Sequence, residues 1–186
     1  MFINMLSCDE SAITYVQSYD DWISKTKNCK DLKEFNFTNL DEYLNERLVT
    51  TGSEACIMMI LYCYNITLSD DQIHYFQPLA QIAHKLGDLV NDIVSAEKEW
   101  ITHITHGAPG TPITAIFLIM RWSNVSFGEA KEIVKRKCLE LEQSFLSLSQ
   151  QYLEGFGGLE ETKKEAERYV SALQLLISGN LLWHIN

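Results

Sequence analysis

Apolar residues recur at three- and four-residue intervals along almost the whole chain. The first such run, SAITYVQSYDDWI, predicts a helix over about residues 10–27. NCKDLKEFNFTN then reads as a connection, ending where Thr38 or Asn39 caps a short helix running through Glu46. From Arg47 to Tyr64 the sequence RLVTTGSEACIMMILYCY is apolar almost all round, the pattern of a central buried helix. Gly52 falls inside it, where glycine costs about 1 kcal/mol relative to alanine, so something other than helix propensity favours it there. SDDQ at 69–72 has the capping-box pattern of another short helix, and Pro78 stands near the start of a long one. ITHITHGAPGTP, 101–112, reads as a loop, and a helix over about 112–122 follows. SFGE at 126–129 caps a long amphipathic helix to about Glu154, GFGG breaks it, and a last helix runs from Leu159 to the end. No stretch alternates as a strand and no linker divides the chain, so the pattern predicts an all-α helical bundle forming a single domain over 1–186.

The long helix after Pro78, LAQIAHKLGDLVNDIVSAEKEW, carries one feature that burial does not demand. Asn91, Ser95 and Glu99 stand at i, i+4 and i+8. Each four-residue step advances about 40° around a helix, so the three oxygen-bearing side chains share one narrow stripe. Such a stripe is either a wet surface or a site. The density of Leu, Ile, Ala and Val between Pro78 and Ile93, and Lys98 beside Glu99, weigh toward a site. An amide oxygen, a hydroxyl and a carboxylate are hard donors suited to magnesium, an ion commonly held by few protein ligands together with substrate phosphates.

Composition narrows the alternatives. A net charge of -10 disfavours a nucleic-acid backbone as the main partner, because such binders present basic surface. No apolar run reaches the roughly 20 residues of a membrane span, and the start lacks the pattern of a signal peptide, so a soluble cytoplasmic protein is expected. The five cysteines form no CxxC pair and read as reduced core thiols. His103 and His106 in HITH are set aside as a zinc site, since no cysteine ligand stands near them.

NDIVSAEKE resembles the Asn-Asp-x-x-Ser-x-x-x-Glu motif of class I terpene cyclases, including the lysine before the glutamate found in fungal and bacterial members. The resemblance implies that Asn91, Ser95 and Glu99 chelate one Mg2+ ion and that Lys98 lies near a diphosphate. YLNERLVTTG at 43–52 is similar to the family's pyrophosphate-sensor segment, which gives Arg47 a diphosphate contact and Gly52 a helix break with carbonyls facing the cation; the family's acidic linker is replaced by Thr50. SGNLLWH at 178–184 resembles the segment whose tryptophan lines the cavity, so Trp183 would offer its indole face to a carbocation. Read apart from the family, Arg47 is an ordinary arginine near a helix start and Trp183 a core aromatic.

The resemblance therefore implies the α-bundle fold of the isoprenoid synthases, restricted to the C-terminal half of the family's usual length. The N-terminal part of the bundle would be missing. The implied substrate is a prenyl diphosphate, farnesyl or geranylgeranyl, and the implied reaction is ionisation followed by cyclisation, weak or absent in this chain alone. DDWIS at 20–24 departs from the family's aspartate-rich motif and reads as a solvated helix edge. A homo-oligomer or another partner would cover the missing half. The alternative from another class is a noncatalytic helical interaction protein derived from the same fold.

Overall fold

The computed structural model describes the backbone of residues 10–28, 35–107 and 110–185, and side chains within 13–27, 35–107 and 110–179. Among these residues eight α-helices follow one another, with no strand: α1 (Glu10–Asn28), α2 (Leu40–Thr50), α3 (Ser53–Cys63), α4 (Asp70–Tyr75), α5 (Gln77–Thr105), α6 (Ala115–Ser123), α7 (Phe127–Gly155) and α8 (Glu160–Ile185).

Their starts follow local chemistry. Asn39 caps α2 by accepting from the Glu42 amide at 2.9 Å, and Ser69 and Ser126 each close a reciprocal capping box with Gln72 and Glu129. Pro78 sits in the first turn of α5, where its missing N–H costs nothing. Three expectations need correction. The short helix does not stop at Glu46 but continues to Thr50, and the apolar run 47–64 is divided between α2 and α3 at Gly52. The stretch 101–105 belongs to α5 rather than to a loop, because ITHITH contains no breaker and the glycine and proline residues begin only at Gly107. The helix after that loop is also shorter at its start than 112–122, beginning at Ala115.

Two apolar clusters build the interior. One gathers Ile57, Phe76, Leu79, Phe145, Tyr169 and Leu173; the other gathers Tyr43, Leu44, Leu89, Ile116, Leu118 and Val134. Helix α5 passes through both, contributing Leu79, Ala80 and Ala83 to the first and Leu89 and Ala96 to the second. It runs antiparallel to α7. The Tyr75 hydroxyl, just before α5, donates to Tyr152 O at 3.1 Å, and Glu97 near its other end meets Lys131 at 3.4 Å. Helix α1 lies against α3, where Tyr15 stacks on Tyr62 and Lys25 pairs with Glu54 at 2.6 Å. Cys56, Cys63 and Cys138 are free thiols, the second of them exposed rather than in the core; Cys8 and Cys29 lie outside the described residues. Among the described residues no helix is long and apolar enough to cross a membrane.

Candidate active site

One face of α5 is polar from end to end: Gln77, Gln81, His84, Asp88, Asn91, Ser95 and Glu99 recur at intervals of three or four. From Gln81 to Glu99 these side chains are half-buried or buried, whereas Glu97 and Lys98 are exposed. The stripe is therefore turned inward. Near its C-terminal end the Ser95 hydroxyl donates to Glu99 Oε1 at 2.5 Å.

Helix α2 lies beside this face and delivers Arg47 to it. Arg47 Nη2 stands 3.7 Å from Asp88 Oδ1 and 3.8 Å from Asp92 Oδ1, with all three side chains largely withdrawn from solvent. Burial alone would weaken the guanidinium's hold on its proton, but Tyr43, Asp92, Asp88 and Glu99 outweigh it and strengthen that hold. Asp92 is fixed from two further sides: Oδ2 accepts from the Tyr43 hydroxyl at 2.8 Å and from the Ala115 amide, at the start of α6, at 2.7 Å. Burial pushes the Asp88 and Asp92 carboxyls up to about 6 despite the opposing pull of Arg47. Burial and the Asp92 carboxylate likewise raise the Tyr43 phenol. Arg47 Nε and Asp88 Oδ2 are buried with no hydrogen-bond partner.

The break between α2 and α3 has a backbone cause and a packing cause. Gly52 caps α3 in the left-handed region at φ 74°, which disfavours any side chain. A Cβ placed on it would stand 2.8 Å from Trp22 Cε2, so the indole of α1 rests on the glycine. The first backbone bond of α3 runs from the Cys56 amide to Gly52 O, and the carbonyls of Thr50 and Thr51 fall outside the α-helical ladder. Gly52 and Trp22 help line a cavity of about 360 Å3, together with Leu48, Ile57, Gln81 and His84. Burial lowers the His84 imidazole to about 4, and its Nε2 has no partner.

The structure thus brings Arg47 to the face of α5 that carries Asn91, Ser95 and Glu99, and sets Gly52 on a cavity beside an earlier turn of that face. Lys98 is exposed on the flank of the stripe. Trp183 falls in the last turns of α8, and its side chain lies outside the described residues. Asp20 and Asp21 are exposed on α1. Among the described residues no three His, Cys, Asp or Glu side chains form a metal-holding group, and the proposed donor set accordingly depends on an amide and a hydroxyl. Sequence reasoning missed Asp88, Asp92, Tyr43 and Trp22. Asp92 is the second residue of the NDIVSAEKE motif, and a further signal was Asp88 and Asp92 at i, i+4 inside an apolar helix, a spacing that places two carboxylates together where water is scarce.

This architecture is that of the class I terpene synthases. The chain superposes on aristolochene synthase from Penicillium roqueforti with a TM-score of 0.75 at 18% identity, covering 95% of this chain and 56% of that one. Germacradien-4-ol synthase from Streptomyces citricolor gives 0.64 at 20% identity over 78% of this chain and 46% of that one. Residues 11–144 match the family described as terpene synthase family 2, C-terminal metal binding, and the chain belongs to that family. Among its relatives, a bifunctional sesterterpene synthase from Talaromyces wortmannii is 29% identical over 98% of this chain, which corresponds to 24% of that protein. Variediene synthase from Emericella variicolor is 25% identical over 100% of this chain and 26% of its own length. The chain thus spans about a quarter of the length of these relatives.

Proposed function

We propose that this chain is the magnesium- and diphosphate-binding portion of a terpene cyclase acting on farnesyl or geranylgeranyl diphosphate. The observation that carries the reading is the convergence of Arg47 from α2 with the inward stripe of α5. The donor chemistry suits a small hard cation: Asn91, Ser95 and Glu99 offer an amide oxygen, a hydroxyl and a carboxylate along one helix face, and the hydrogen bond from Ser95 to Glu99 holds two of these groups together. Asn91, Ser95 and Glu99 would hold the ion, which when bound supplies Lewis-acid charge to draw off the diphosphate. Arg47 binds the same leaving group through its guanidinium donors, and Lys98 adds charge from the rim. Behind them, the cavity beneath Trp22 and Gly52 offers the apolar faces of Trp22, Leu48 and Ile57 to the hydrocarbon, and the carbonyl dipoles at the helix break favour positive charge there. Trp183 is assigned the same stabilising role through its indole face.

Ionisation depends on how much preorganised charge surrounds the leaving group, and each loss of about 1.4 kcal/mol slows it tenfold. As a separate polypeptide the chain contributes one ligand helix and one sensor arginine, so turnover by the 186 residues alone is expected to be weak or undetectable. Binding is the sharper test. Calorimetric titration of magnesium with pyrophosphate should show binding by the wild-type chain and at least a tenfold loss in Asn91→Ala, about 1.4 kcal/mol or more. Equal binding by both proteins would overturn the metal assignment and favour the noncatalytic alternative.

A further inference from the structure

The contacts of Arg47 carry one more inference, which rests on the anion-binding role proposed for it. Its approach to Asp88 at 3.7 Å and to Asp92 at 3.8 Å is longer than the 2.7–2.9 Å, roughly, of a charge-assisted hydrogen bond. Its Nε is buried and has no partner. The guanidinium is therefore held by charge, and it keeps directional donors for another acceptor.

The two carboxylates beside it are not equivalent. Asp92 is committed to the scaffold through Tyr43 and Ala115. Asp88 is held more lightly: the Thr51 side chain acts on its carboxyl, Oδ2 is buried with no hydrogen-bond partner, and its pull on Arg47 is electrostatic. Two buried carboxylates facing one guanidinium, with Glu99 acting on Arg47 from the same helix, give the pocket an excess of negative charge. An anion at Arg47 therefore lies within the field of that excess.

We propose that Asp88 is a positioning residue that competes with the incoming anion for Arg47, so that the arginine engages a diphosphate only when a cation offsets the neighbouring carboxylates. The charge of Asp88 suppresses metal-free anion binding. Its shape keeps the guanidinium aligned with α5.

The test uses inorganic pyrophosphate without metal, titrated calorimetrically into the wild-type chain, Asp88→Asn and Asp88→Asn/Arg47→Gln. Asp88→Asn should bind at least about fivefold tighter than wild type, the scale of one partly screened charge contact, and the double variant should lose the gain. A merely structural aspartate would weaken binding when replaced. Unchanged or weaker binding, or a gain that survives Arg47→Gln, would overturn the proposal. Asp88→Ser serves as a second neutral variant, and failure of both to fold by circular dichroism would make Asp88 a scaffold group and also overturn it. The metal assignment is read separately: if magnesium pyrophosphate binding ignores Asn91→Ala while Asp88→Asn still gains, this inference stands and that one falls.

Discussion

Gly52 shows how one residue can answer to two constraints at once. Its left-handed backbone alone would charge an L-residue about 1–2 kcal/mol, and the Trp22 ring occupies the space a methyl group would need. Gly52→Ala should therefore lower stability by about 2–4 kcal/mol in urea unfolding, since relieving the contact means moving the indole or α1 itself. A loss below about 1 kcal/mol would show that the break relaxes freely. The anomaly was visible in the sequence as a glycine inside an apolar helical run. Its cause was not, because Trp22 and Gly52 are distant in the chain and meet only through the packing of α1 on α3.

Among the elements, α5 was the most legible and also hid the most. Its start, its burial and the stripe of Asn91, Ser95 and Glu99 follow from periodicity and the family resemblance, and in the structure the three side chains are half-buried on one face. Asp88 and Asp92 escaped because their meaning depends on Arg47 arriving from α2, a tertiary contact with no local periodicity. His84 gives this helix a measurable pH signature. Its folded-state value near 4 lies below the ordinary 6.5, so the unfolded chain takes up the proton first as pH falls, and the stability present above pH 6.5 drains away toward pH 4. Asp88 and Asp92, raised to about 6, act in the opposite sense: they favour the folded state at low pH, and that benefit fades as pH rises from about 4 to 6. Comparing wild type with His84→Gln isolates the histidine. The advantage of wild type should grow by on the order of 2 kcal/mol between pH 4 and 6.5, measured by urea unfolding at each pH. A constant difference would place a counter-charge or water at the imidazole.

On the scale of the whole molecule, the two apolar clusters share α5 and should unfold together. Leu173→Ala in one cluster and Leu118→Ala in the other each remove a buried side chain, at a cost of about 2–5 kcal/mol. Each is expected to shift the entire transition, with helical circular dichroism and tryptophan fluorescence remaining superimposed. Divergence of the two probes would mean that the clusters melt independently. Fold class was readable at this scale because helical spacing pervades the chain and capping residues at Asn39, Ser69 and Ser126 mark three helix starts. Which helices touch was not, since pairings such as Tyr43 with Asp92 or Phe37 with Trp122 join residues that no periodicity links.

The donors of the stripe are spaced by the rise and twist of a continuous helix, whereas the cavity beside it is walled largely by side chains from α1, α2 and α3, with Gln81 and His84 added from an earlier turn of α5. Recontouring that wall at Trp22, Leu48 or Ile57 would alter the size and shape of the guest without touching the registry of Asn91, Ser95 and Glu99. Under the function proposed above, grip on a charged head and choice of hydrocarbon tail would be separable inheritances, one free to diversify while the other is conserved.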